Sequence, residues 1–120
     1  MSKCAIIGFG CAGYHAAKAL REQKPEYQID VYSNTDDAPA NPMLTTYYVK
    51  GKIPREQQFP LGTREEIVRD LNINLFCSTP VKHLYARARA VELANGQLRQ
   101  YDDIVLATGS HPLVPPIPGC

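Results

Sequence analysis

The order of patterns along this sequence predicts an α/β domain with a parallel sheet and an added antiparallel β-meander. Three observations carry that reading. The apolar stretch Cys4 to Ile7 runs into Gly8-Phe-Gly10-Cys-Ala-Gly13 and directly on into an alanine-rich segment. Residues 81–101 alternate with period two and hold Asn95-Gly96 between their last two arms. A continuous apolar run, Ile104-Val-Leu-Ala107, then follows. The first pattern is a strand–turn–helix unit, the second a hairpin with a type I′ turn, and the third a parallel strand buried on both faces.

The elements can be justified in order. The first helix is predicted from about Cys11 to Lys24, stopped by Pro25, with Ala12, Ala16, Ala19 and Leu20 on its inner face. Gln28 to Ser33 alternates and reads as a second strand, completing a βαβ unit. Residues 34–62 form a long Pro-, Asn- and Thr-rich excursion with one apolar piece, Met43 to Val49. Excursions of that length are commonly functional. Thr63-Arg-Glu-Glu66 is a capping box opening a short helix over Arg64–Leu71, with Asn72 or Asn74 as its stop and Leu75–Cys77 as a third strand. Val81–Arg87 supplies the lead-in arm of the meander. After Asp103–Ala107 come Thr108-Gly109 and a passage with four prolines in eight residues, which reads as an extended exit linker.

Composition narrows the partners. At 120 residues the chain is one ordinary domain able to bury a core. A net charge of +1 without a basic stripe argues against nucleic acid. No apolar run approaches the ~20 residues that a bilayer span needs, so a membrane is not expected and the cytoplasm is the default setting. Four cysteines, Cys4, Cys11, Cys77 and Cys120, lack metal-binding spacing, so no metal site is expected.

Chemistry concentrates in the glycine turn. Gly8 permits the tight turn off the strand, Gly10 lets a diphosphate approach the backbone, and Gly13 lets helix and strand pack closely. The helix that begins at Cys11 offers its free N–H groups, from Cys11, Ala12 and Gly13, and the positive end of its dipole. A helix N-terminus also lowers a thiol pKa. A bound diphosphate would oppose a thiolate there, so Cys11 is read as a small residue tolerated beside phosphate.

The glycine turn, the meander with Asn95-Gly96 and Tyr101-Asp-Asp-Ile-Val-Leu-Ala-Thr-Gly109-Ser-His-Pro112, taken in that order, resemble the N-terminal FAD-binding segment of the pyridine nucleotide–disulfide oxidoreductase superfamily. The segment Ala40-Asn-Pro-Met-Leu-Thr-Thr-Tyr-Tyr48-Val-Lys-Gly51 is most similar to the branch holding NADH-dependent nitrite reductases, rubredoxin reductases and NADH oxidases. The resemblance implies a Rossmann-like FAD/NAD(P)-binding domain over residues 1–111, incomplete in this chain, with residues 112–120 leading towards an NAD(P)-binding domain. It implies an FAD-dependent NAD(P)H oxidoreductase that passes electrons from nicotinamide through FAD to an acceptor, the 120 residues alone being inactive and poor at binding FAD. FAD is then the cofactor and NAD(P)H the co-substrate; the partners are an unidentified electron acceptor and, in a homodimer, a second copy. The alternative is a non-catalytic module that holds NAD or FAD.

The cofactor contacts implied are Gly8, Gly10, Cys11, Ala12 and Gly13 for the diphosphate, Ser33, Asn34 and Val81 for the adenosine, Asn41 and Pro42 by the ribityl and diphosphate region, and Ala107, Thr108 and Gly109 at the end of the last strand, Thr108 and Gly109 closing over the diphosphate. No residue stands out as a catalytic acid or base. Departures from the family pattern matter. Ser33 stands where an acidic residue usually takes the ribose hydroxyls, Asn41-Pro42 where an Arg-Pro pair is common, and Met43 where some members keep a redox cysteine. No Cys-x4-Cys pair exists, so electron flow without a redox-active cysteine pair is expected.

Overall fold

A computed structural model describes residues 2–111 and 113–119; Cys120 and Pro112, which opens the expected linker, lie outside the described residues. The chain folds as β1 (Lys3–Ile7), α1 (Cys11–Gln23), β2 (Gln28–Tyr32), a 3-10 turn (Pro42–Leu44), α2 (Thr45–Val49), a second 3-10 turn (Arg55–Gln58) and α3 (Arg64–Leu71). The strands β3 (Asn74–Phe76), β4 (Val81–Tyr85), β5 (Ala90–Leu93), β6 (Leu98–Gln100) and β7 (Asp103–Leu106) complete it. A four-stranded parallel sheet has the order β3-β2-β1-β7, and a separate antiparallel sheet has the order β4-β5-β6.

Alternation along β1 and β2 builds the layers. Successive side chains of a strand point to opposite faces. Cys4 and Ile6 of β1, with Ile29 and Val31 of β2, pack on Ala17 of α1 and Ile67 of α3. Ala5, Ile7 and Tyr32 point the other way and meet Val91, Leu93 and Tyr101 of the meander side. The parallel sheet thus lies between helices and meander. Burial, with Asp103 adding to it, pushes the Cys4 thiol up to about 11, which makes it an inert core group.

The meander face is polar at its centre. Buried Asp30 accepts from Tyr101 Oη at 2.7 Å, Asn74 Nδ2 at 2.9 Å and Gln28 Nε2 at 3.3 Å. Tyr32 and Tyr101 also share a hydrogen bond through their hydroxyls. A buried carboxylate needs such partners. Burial first, then the bonds to Tyr32 and Asp30, raises the Tyr101 pKa well above the usual phenol value. Elsewhere a single side chain joins two connections: Arg21 donates to the carbonyls of Leu71 (2.8 Å) and Asn72 (2.9 Å) after α3, and to Pro25 (2.8 Å) and Tyr27 (2.7 Å) between α1 and β2.

Four expectations are corrected. The inner row of α1 is Gly13, Ala16, Ala17 and Leu20, whereas Ala12 and Ala19 are exposed. A glycine, not an alanine, gives the closest approach. The Asn95-Gly96 connection is not type I′, because Gly96 has φ +91° and Asn95 is not among the positive-φ residues. Gly96 N donates to Leu93 O and Leu93 N to Gln97 O, both at 2.9 Å, which closes a three-residue loop with a glycine bulge. Strand β7 is an edge rather than a central strand, and Leu106 is 61% exposed. Its apolar run signals burial that this chain does not supply. The excursion is not wholly irregular either, since Pro42–Val49 coils as a 3-10 turn and α2. Among the described residues, no helix is long and apolar enough to cross a membrane.

Candidate functional site

The glycines of the first turn separate by what demands them. Gly8 has φ +111°, and a Cβ there would overlap the carbonyl oxygen of Ala107. A Cβ on Gly13 would overlap the carbonyl oxygen of Gly8. These two are required by the chain's own backbone, which holds β1, α1 and the end of β7 together. Gly10 is different: it is exposed, and a Cβ there would meet nothing within 4 Å. The fold itself therefore makes no demand for glycine at position 10, and the space before it is open.

The start of α1 is equipped for an anion. Gly10 is its N-cap with no side-chain cap bond, and the first turn holds no acidic residue. The first intrahelical bond runs from Tyr14 N to Gly10 O, so the N–H groups of Cys11, Ala12 and Gly13 precede the helical ladder. Unpartnered N–H groups at the positive end of a helix dipole suit phosphate oxygens.

Beside the turn, a cleft of about 140 Å3 opens at the ends of β1 and β2. Gly8, Tyr32, Asn34, Thr79, Val81 and Thr108 are among its lining residues, which include no Asp, Glu, Lys, Arg or His. Three expected contacts, Asn34, Val81 and Thr108, therefore meet around Gly8. Thr79 and Pro80 also line it, and nothing in the sequence except the proline before β4 marks them. Ala107 serves by its backbone: its N–H donates to Ile7 O at 2.9 Å, and its carbonyl covers Gly8. Gly109 follows with φ +75° and is exposed.

Asn41 and Pro42 stand on another side of the turn. Cys11 Sγ lies 4.0 Å from Ala40 O, which brings this stretch to the start of α1. The Asn41 side chain accepts from Met43 N at 3.0 Å and caps the 3-10 turn, with exposed Pro42 as its first residue. Met43 is 80% exposed, next to exposed Tyr47 and Val49. Cys11 is exposed, and among the described residues Cys4, Cys11 and Cys77 are all free thiols.

Ser33 is buried with its hydroxyl facing Thr35. It is 6% exposed, and its Oγ accepts from Thr35 N at 3.2 Å. Both nearby aspartates are exposed and each already holds a partner. Asp36 accepts from Ser78 Oγ at 2.6 Å, and Asp37 pairs with Arg55 at 2.9 Å. Two larger grooves of about 550 and 450 Å3 flank α3, but mixed charges from Asp36, Arg64 and Glu65 line both, and neither reaches the glycine turn.

Comparison with known proteins supplies the family. The profile of the pyridine nucleotide-disulphide oxidoreductase family matches residues 2–120. The chain is 34% identical over 117 residues to the rubredoxin-NAD(+) reductase of Acinetobacter baylyi, covering 93% of this chain and 29% of that protein. It superposes on putidaredoxin reductase, solved as a covalent complex with putidaredoxin, with a TM-score of 0.86 at 30% identity, covering 99% and 28% of the two chains. The water-forming NADH oxidase of Lactobacillus brevis, solved with NADH, gives a TM-score of 0.89 at 25% identity, covering 99% and 27%. The chain thus spans under a third of each of these proteins, and it belongs to the pyridine nucleotide-disulphide oxidoreductase family.

Proposed function

For a chain of this family, we propose that residues 1–111 are the FAD-binding portion of an NAD(P)H-dependent flavoprotein oxidoreductase passing electrons from nicotinamide through FAD to an acceptor. The observation that carries the reading is the open space at Gly10, set between two glycines that the fold itself requires. Bound FAD supplies the group that accepts hydride from the nicotinamide and hands electrons on, while the protein supplies binding and orientation.

The chain's own parts divide that task. The backbone from Gly8 to Gly13 receives the diphosphate, with N–H groups of Cys11, Ala12 and Gly13 as donors. Asn34 and Val81 border the adenosine, and Ser33 supports that loop from within. Asn41 and Pro42 border the ribityl side, and Thr108 and Gly109 close the near lip. Met43 has no thiol chemistry, and Cys4 is buried and held protonated, so these residues offer no disulfide relay.

Residues 112–120 are the exit towards an NAD(P)-binding domain in the same proposal; exposed Leu113, Val114 and Ile117 support it. A protein electron carrier is the acceptor class favoured by the reductases named for rubredoxin and putidaredoxin. A cytoplasmic setting and a homodimer complete the reading.

The test is purification of the intact protein, followed by flavin absorbance and anaerobic addition of NADH or NADPH. A yellow protein that loses its colour on reduction is the expected result. A colourless protein overturns the FAD assignment, and a yellow one indifferent to both nucleotides would make the chain a non-catalytic dinucleotide-binding module.

A further inference from the structure

The end of β2 is where a dinucleotide fold places an acidic residue to take the adenine ribose hydroxyls. Here Ser33, Asp36 and Asp37 stand near that point but are not among the residues lining the cleft. Ser33 Oγ is buried and engaged with Thr35. The Asp36 carboxylate accepts from Ser78, and that of Asp37 pairs with Arg55. Thr79 Oγ1 donates to Cys77 O at 2.7 Å. Asn34 lines the cleft, is exposed, and its side-chain amide makes no hydrogen bond among the described residues. An amide offers both a donor and an acceptor, so one Asn can serve two neighbouring hydroxyls.

We infer that Asn34 is the ribose-positioning residue of this cleft, and that the clamp is neutral rather than acidic. The inference rests on the reading of the site as an FAD site. Neutral hydrogen bonds contribute less than charge-assisted ones. The diphosphate turn then carries a larger share of the affinity than an acidic clamp would leave to it.

Titrating the intact protein and its variants with FAD, followed by flavin fluorescence, decides the matter. Asn34→Ala should weaken binding about tenfold, on the scale of two neutral hydrogen bonds, with an unchanged unfolding midpoint. Asp37→Asn, at a residue outside the cleft lining, should stay within about twofold of the parent, well inside the effect of one hydrogen bond. A second titrant, an FAD analogue whose adenosine lacks both ribose hydroxyls, separates positioning from structure. The parent should prefer FAD to the analogue, and Asn34→Ala should abolish that preference. If Asn34→Ala keeps the preference, or Asp37→Asn removes it, the assignment is wrong while the FAD site stands. If the parent takes up no FAD at all, the site reading fails and this inference falls with it.

Discussion

The turn at residues 8–13 and the excursion at residues 34–62 meet at the start of α1, yet they are held by opposite means. In the turn, backbone lies on backbone: Ala107 O over Gly8, and Gly8 O over Gly13. In the excursion, Pro39 is buried and Ala38 and Leu61 pack on the core. The rest relies on local backbone bonds and exposed polar contacts such as Arg55 with Asp37 at 2.9 Å and Arg64 donating to Asp36 O at 2.8 Å. Exposed ion pairs contribute little. One wall of the proposed site is therefore fixed by packing that tolerates no added atom, and the other is fixed in part by contacts that water competes for. Met43 at 80% and Val49 at 77% exposure show how little apolar area the second wall buries.

Several substitutions would break or sharpen that contrast. The largest effect should come from Gly8→Ala and Gly13→Ala, since neither overlap is relieved without moving a strand or the helix. A loss above about 3 kcal/mol, or no soluble protein, is expected in denaturant titrations. An unfolding midpoint close to the parent's would show that the turn is not held by packing. Tyr101→Phe comes next, removing a bond to a buried carboxylate at a cost of about 1–3 kcal/mol. It also has a pH signature. With its pKa raised in the fold, Tyr101 keeps its proton when the unfolded chain releases it above about pH 10, so stability falls as pH climbs past that point. Melting curves from pH 8 to 11 should show that decline in the parent and a shallower one in Tyr101→Phe, with Cys4 retained in both as a second source. An equal decline in the two proteins would remove Tyr101 from the account.

Gly10→Val should change stability by no more than about 1 kcal/mol, the cost of a poorer N-cap, while the intact protein loses its flavin. If that variant purifies as yellow as the parent, the diphosphate does not sit at Gly10. The smallest effect belongs to Arg55→Ala, which should leave the midpoint of thermal unfolding where it was. A clear drop would mean that the excursion is coupled to the core after all.

What could be read in advance follows the same division. The strand–turn–helix unit, the capping box and the meander were legible because each is set by local spacing, and Thr63 does cap α3 by accepting from Glu66 N at 3.2 Å. Errors arose where a neighbour distant in sequence decides. The apolar run of β7 does not say which partners cover it. Asn95-Gly96 is compatible with two loop lengths, and the pairing of Leu93 with Gln97 selects the longer. The Asp30–Tyr101 bond joins residues 71 apart, beyond the reach of any local pattern. At the site, the turn could be placed from the glycines, but the engagement of Ser33 with Thr35 could not, because either rotamer of a serine suits the same strand end.

Arg21 has a consequence for how this domain opens. Its guanidinium bridges the α1–β2 connection and the exit from α3, segments about fifty residues apart in the chain. Neither can fray without stripping partners from the other, so the pair forms one cooperative unit in hydrogen exchange, protected or exposed together. Lysine could not take its place, since an ammonium is a compact point charge and lacks the planar fork that reaches several carbonyls at once. The glycine turn at the opposite end of α1 thus stands on a helix whose last turn is anchored to two crossovers by a single guanidinium.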